Sequence, residues 1–564
     1  MKKIREIIKE RKFKYIAFFW LFISLQFIMG SDLQKKGSIA KNMKEFGIAT
    51  LKIVVLWILF IILNYIILKL INIIKLKKMR KQNKDEITSQ KERKSIPEKY
   101  RWLIYFIFIF VCWIPVLLAF YPCNISYDGG YQILRYYFFD NLEHHPILMT
   151  KLFTTFYVIG LNLNSPTLGM LLFSLFQMTF MAIAFSYCVK FIEEQTQNKV
   201  VRYISLIFYA LYPYHQLMSI TTTKDVIFSG LFLIYVIYLY KILSEKFNWT
   251  NYIFAIFIGI LMLLSRNNSI YTLEVSLPII VLVLIKQRKK MLKVLILFLI
   301  VIVGYKGINN YIYTKESETS DETSFRTTYF AQIVGKVSRD CAEELTDEEK
   351  EKIKYYYRDY EIVGRLYEDN IADKAIKMSS SNISTDREGY LKFVFELCKK
   401  YPRTALEAIL NLTRGYWYIN DTSFTQIMTY KHPGAIEIYE FEIGKGDYAV
   451  KFDSKLPGLR KLYINLYRSS EYLNIPILYI FLQPAFFFYC TFAFLLYSIY
   501  KKEKNRLVIA IFLFTFYASC YMANCVIIRY IYPVVVSLPL MLLFVTKDEK
   551  VEIEKEENES KWNY

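Results

Sequence analysis

Trp102-Leu-Ile-Tyr-Phe-Ile-Phe-Ile-Phe-Val-Cys-Trp-Ile-Pro-Val-Leu-Leu-Ala-Phe-Tyr121 runs directly into Pro-Cys-Asn124-Ile-Ser-Tyr-Asp128-Gly-Gly130, and His144-His145-Pro146 follows shortly after. The first part has no charged residue and is as long as a bilayer crossing requires. The second part puts a carboxylate, two glycines and two imidazoles where such a crossing would emerge into water. An ionisable group that close to a bilayer marks a candidate functional site. Asp-Gly-Gly is also ordinary turn chemistry, and His-His-Pro also opens helices, so the same residues can be read as a capped loop.

Working outward, apolar runs of similar length recur. Residues 15–29 follow a basic N-terminal segment and read as a retained signal anchor; 47–74 form a second span. Further spans are expected at 167–192, 202–220, 225–243, 251–265, 269–286, 291–313, 476–499, 507–526 and 529–546. Residues 147–163, which contain Lys151 and are weakly apolar for their length, read as a helix lying in the membrane interface. The expected fold class is an all-α polytopic membrane protein of about twelve transmembrane helices, with a mainly α extracytoplasmic domain inserted before the last three.

The chain of 564 residues is 54% hydrophobic and carries a formal charge of +21, but its Lys and Arg concentrate in short segments between the apolar runs. That places the excess in cytoplasmic loops and makes nucleic acid an unsuitable partner. Residues 1–74 then hold two spans, 75–101 a basic cytoplasmic linker, 102–313 a membrane core with its first outer loop at 123–146, 314–475 an outer domain, 476–546 the last spans and 547–564 a cytoplasmic tail. Within the outer domain, 347–360 and 388–400 look helical, and 401–418 reads as a helix resting on headgroups through Tyr416, Trp417 and Tyr418. The eight cysteines have no Cys-x-x-Cys spacing; Cys341 and Cys398 share the outer domain and are the one pair that could bond there.

The alternation of basic loops brings five polar sites to the outer face: Asp128, His144-His145, Lys224-Asp225, Arg266-Asn267-Asn268 and Arg529-Tyr530. For Arg266 and Arg529 the competing reading is snorkelling to headgroups, and for Lys224-Asp225 it is a helix cap.

Taken in order, the outer-loop Asp128, the His-Pro that opens an interfacial helix, the Lys224-Asp225 helix start, the large outer domain and Arg529-Tyr-x-x-Pro533 resemble the GT-C superfamily of membrane glycosyltransferases. The likeness is to the protein O-mannosyltransferases and the bacterial aminoarabinose transferase, and more closely to a bacterial family of uncharacterised GT-C-like membrane proteins. It covers about residues 102–544. The resemblance implies transfer of a sugar from a polyprenyl-phosphate donor, held in membrane lipid, to an acceptor outside the cytoplasm, with the site facing away from the cytoplasm of the cell membrane. It implies Asp128 as catalytic base and His145 as a group that orients the site or shares the proton. His144, Lys224, Asp225, Arg266, Arg529 and Tyr530 are then substrate-binding candidates, with Lys224 and the two arginines as phosphate contacts and Asp225 holding Lys224. Asp128-Gly-Gly replaces the adjacent acidic pair usual in mannosyltransferases, which leaves a divalent cation an open expectation. A lipid-linked sugar flippase and an O-antigen-type polymerase or ligase are the alternative readings.

Overall fold

The computed structural model describes residues 11–85, 98–139, 145–196, 198–245, 248–315, 325–422, 448–468, 475 and 478–547. The molecule is all-α apart from one two-stranded ladder, and among the described residues nine helices are long and apolar enough to cross a membrane. Residues 1–101 and 102–564 form separate compact units.

In the first unit, α1 (Arg11–Lys36) and α2 (Met43–Asp85) pair. The Trp57 indole donates to the Ala17 carbonyl at 2.8 Å, and the Trp20 and Phe60 rings lie 4.8 Å apart.

The second unit begins within α3 (Glu98–Ala119), then runs through β1 (Asn124–Ile125), α4 (Tyr127–Phe139), α5 (Ile147–Asn162), α6 (Pro166–Gln195), α7 (Lys199–Leu211), α8 (Pro213–Met218) and β2 (Thr221–Thr222). It continues through α9 (Lys224–Ser244), α10 (Trp249–Ser265), α11 (Ile270–Leu284) and α12 (Arg288–Lys315). Residues 325–422 form the helical inserted region: α13 (Phe325–Asp340), α14 (Asp347–Tyr357), α15 (Tyr360–Leu366), α16 (Asp373–Lys377), α17 (Arg387–Lys400) and α18 (Pro402–Trp417). The bundle closes with α19 (Pro484–Lys501), α20 (Lys504–Ser519) and an apolar segment at Ile528–Lys547.

Helix α9 is the axis of this unit. It is apolar all round, as a fully enclosed helix should be, and Val226, Phe228, Leu233, Tyr235, Val236 and Ile237 are solvent-inaccessible. Phe232 stacks on Phe512 of α20 with ring centroids 5.4 Å apart, and Gly230 lets the Phe180 ring of α6 approach to where a Cβ would stand. The inserted region has its own apolar core, in which Val334, Ile353, Tyr357, Val363, Val394 and Leu397 join four of its helices.

Nine expected spans correspond to helices of membrane-crossing length; three do not. The run at 202–220 is broken at Tyr212-Pro213 into helices of 13 and 6 residues, because proline has no N–H to continue the ladder. At 1.5 Å per residue the longer piece spans only about 20 Å. The run at 476–499 is interrupted at Gln483-Pro484, and α10 has 17 residues before the chain turns at Arg266.

The interfacial helix expected at 147–163 forms as α5, but it is packed into the bundle, with Met149, Phe153 and Tyr157 solvent-inaccessible. The two outer helices expected at 347–360 and 388–400 appear as α14 and α17. Helix α18 does not rest on headgroups: Tyr416, Trp417 and Tyr418 are buried, because they pack on the last helices. Tyr517 donates to the Tyr416 carbonyl and Tyr489 to the Trp417 carbonyl, both at 2.8 Å. Cys341 and Cys398 are not joined; the Cys341 thiol lies 3.5 Å from the Thr404 hydroxyl. Of the linker expected at 75–101, residues 75–85 continue α2 and 98–101 open α3, so the helices extend into it from both sides; 86–97, like 548–564 of the tail, lie outside the described residues.

Candidate functional site

The segment expected as an open outer loop is partly ordered by the ladder. Strand β1 pairs in parallel with β2, matching Asn124 with Thr221 and Ile125 with Thr222. The Asn124 amide donates to the Thr221 hydroxyl at 2.8 Å, and the Ser126 hydroxyl donates to the Thr222 carbonyl at 2.6 Å. The same Ser126 oxygen accepts from the Gly129 N–H at 3.0 Å, which makes Ser126 the cap of α4. Asp128 therefore sits in the first turn of a helix and not in a turn loop.

Gly129 does not serve a tight turn either. It is helical, and a Cβ there would meet the Thr222 carbonyl oxygen at 2.1 Å, so glycine permits the close approach of α4 to β2. From the other side, the buried Gln177 amide in α6 donates to the carbonyls of Met218, Ser219 and Thr221, at 3.3, 3.0 and 2.9 Å. Because α4 starts two residues after β1 and α9 two residues after β2, this stitching sets two helix N-termini side by side.

The ladder and the helix ends assemble four of the expected charged residues into a chain of contacts. Arg529 Nη2 meets Asp128 Oδ2 at 2.6 Å, and Arg529 Nε lies 3.9 Å from Asp225 Oδ2. Arg266 Nη1 meets Asp225 Oδ1 at 3.0 Å and donates to the Tyr530 carbonyl at 3.1 Å. Tyr530 joins by its ring as well, with the Arg266 and Arg529 guanidinium carbons 5.5 and 5.2 Å from its centroid.

Three expectations change here. Arg266 and Arg529 do not snorkel: their side chains are 14% and 7% exposed, because carboxylates inside the protein hold them. Asp225 does not cap α9, whose N-cap position is Thr223; it lies in the first turn. Its close partner is Arg266, and Lys224, expected as its partner, acts on Asp225 and Asp128 through space.

His145 is buried at the start of α5 and its charge acts on Asp128. The Thr150 hydroxyl, one turn into α5, donates to Gln132 of α4 at 2.9 Å and fixes the two helices beside each other. His144 lies outside the described residues.

Burial would raise the Asp128 carboxyl. The charges of Arg529, Lys224 and His145, with the hydrogen bond from Arg529, outweigh it and hold Asp128 well below the usual carboxylate range. In the cluster the three cations Lys224, Arg266 and Arg529 face the two carboxylates Asp128 and Asp225, so cationic groups from three helix ends are at hand for an incoming anion. Among the described residues no three His, Cys, Asp or Glu side chains gather so as to hold a metal ion.

Sequence reasoning missed the ladder residues Asn124, Ser126, Thr221 and Thr222 and the buried Gln177. A glutamine in the middle of an apolar run was the available signal, because an amide there needs a partner inside the protein. It also missed Asp373, which opens α16 in the inserted region and acts electrostatically on the same cluster.

No curated protein and no solved structure matches the chain. A family model does match, over residues 141–559; it begins beyond Asp128 and includes His144, His145, Lys224, Asp225, Arg266, Arg529 and Tyr530. As that match covers more than half of the chain, the protein belongs to this family, described as a family of unknown function, DUF6020.

Proposed function

We propose that this chain is a GT-C-type membrane glycosyltransferase that moves a sugar from a polyprenyl-phosphate donor to an acceptor outside the cytoplasm. The observation that carries the reading is the cluster at the helix ends: three cations facing two carboxylates, mostly shielded from water, in a protein of many apolar helices. A phosphate whose hydrocarbon tail stays in the bilayer would meet such a cluster at the end of its own chain. Charge-assisted contacts to phosphate are strongest where water is scarce. The adjacent N-termini of α4 and α9 add partial positive charge in the same place.

In this reading Lys224, Arg266 and Arg529 hold the phosphate and stabilise the charge it gains as the sugar leaves. Asp128 sits at the reaction centre as the partner of Arg529, and His145 adds a second titratable group beside it. Twelve crossings, with the shorter helices among them and residues 314–475 outside the cytoplasm of the cell membrane, complete the proposed topology. A flippase would need its substrate path through the bundle, whereas these charges gather at helix ends.

The test is transfer itself. Protein in nanodiscs is given polyprenyl-phosphate-linked hexoses with membrane-extract acceptors, and free polyprenyl phosphate is read by mass spectrometry. Release by the wild type, and its loss in a Lys224→Met variant that keeps its melting temperature, support the reading. A wild type that neither binds polyprenyl phosphate in a thermal-shift assay nor releases it from the donor refutes it.

A further inference from the structure

A third carboxylate, Asp373, reaches the cluster from the inserted region. Ile371 forms an antiparallel bridge with Cys525, four residues before Arg529, and the Ala372 N–H donates to the Asn524 carbonyl at 2.9 Å. This seats the start of α16 against the loop that leads into Arg529. The Thr328 hydroxyl donates to Asn524 Oδ1 at 2.5 Å, so the Asn524 side chain turns its N–H₂ to Asp373, with which it is hydrogen-bonded. The Gln332 amide clamps the same strand by donating to the carbonyls of Glu368 and Ile371, at 3.2 and 2.7 Å. Asp373 is thus a carboxylate held on a short relay, Thr328 to Asn524 to Asp373, within electrostatic reach of Asp128.

We propose that Asp373, placed by the docked inserted region, is the proton acceptor for the incoming nucleophile at this site. The proposal rests on the glycosyltransferase reading and names its base. Asp128 is tied to Arg529 and is a weak base, whereas the one cation that acts on Asp373 among the described residues is Lys377. The charged groups that act on it are Lys377 of its own helix, Glu368 before it and Asp128 of α4, beside the Asn524 amide. Burial raises its carboxyl above the usual range, Lys377 and Asn524 oppose that, and Asp128 and Glu368 add to it, so the net shift is upward. A base with a raised pKa is the stronger acceptor at neutral pH. In the step, the acceptor O–H proton goes to the Asp373 carboxylate while the acceptor oxygen bonds to the anomeric carbon. The bond from that carbon to the phosphate oxygen breaks, and its electron pair leaves on the phosphate.

The experiment compares wild type, Asp373→Asn, Asp373→Glu and Asn524→Ala in nanodiscs, reading transfer rate against pH and binding of polyprenyl phosphate without sugar. A base works deprotonated, so wild-type transfer rises with pH through the pKa of Asp373. Asp373→Asn is expected to lose about 10²–10⁴-fold in transfer, to lose the acid limb, and to bind polyprenyl phosphate within about threefold of wild type. Asp373→Glu is expected to recover part of the rate together with an acid limb. Asn524→Ala, checked to keep the wild-type melting temperature, leaves the Asp373 side chain in place and is expected to move the acid limb to higher pH, because the amide no longer stabilises the carboxylate. Normal wild-type transfer with Asp373→Asn within about threefold of it, or an acid limb that Asn524→Ala does not move, overturns the assignment to Asp373 alone. A wild type without transfer overturns the glycosyltransferase reading and this assignment with it.

Discussion

The Asp225–Arg266 pair offers a direct check on whether the charge cluster is one unit. Asp225 is 1% exposed and Arg266 14%, with 3.0 Å between their charged atoms. Replacing Asp225 by alanine leaves Arg266 buried without its carboxylate and takes away the more distant partner of Arg529 at 3.9 Å. Breaking a buried pair in this way costs about 3–5 kcal/mol, against about 0–1 for an exposed pair. Arg266→Met should cost a similar amount, since it takes the close partner from the buried Asp225, leaving Arg529 at 3.9 Å, and removes guanidinium contacts to the rings of Phe228, Phe516 and Tyr530. The double variant Asp225→Ala/Arg266→Met strands neither group, so its cost should fall short of the sum of the single costs by about 2–3 kcal/mol. Unfolding free energies from denaturing-detergent titration of the purified protein measure all four corners of the cycle. Additivity within about 0.5 kcal/mol would show that the two side chains do not act on each other, and the account of Asp225 as the anchor of the arginines would fail.

Three further outcomes are expected. Arg529→Ala should slow transfer by about 2–4 kcal/mol in the barrier, and Arg529→Lys by less, because an ammonium cannot hold phosphate oxygens bidentately; equal, near-wild-type rates in both would remove Arg529 from the site. Gly129→Ala should destabilise the protein by about 1–3 kcal/mol or more, since its methyl group meets the Thr222 carbonyl, and an unchanged detergent-titration midpoint would contradict the close approach of α4 to β2. A cysteine at the exposed Glu351, in a background with the native cysteines removed, should react with an impermeant thiol reagent in intact cells; labelling only after lysis would invert the proposed topology.

What the sequence by itself determined is the part of the fold that depends on composition over about twenty residues. Apolar length is a local property, and a helix in lipid satisfies its own backbone, so runs such as 102–121 and 225–243 were legible without any partner. The charged residues of the site were legible one by one, because each abuts an apolar run where an ion is costly. Their pairing was not. Whether Asp225 holds Lys224 or Arg266, and whether Arg529 reaches lipid or Asp128, depends on which helix ends lie together, and that is set by the β1–β2 ladder, the Gly129 contact and the Gln177 amide. The same holds for Asp373, an ordinary helix-opening aspartate by its neighbours in sequence. Only the docking of residues 371–372 on 524–525 brings it to the cluster, because an interaction between residues about 150 positions apart is a property of the packed chain and of no segment of it.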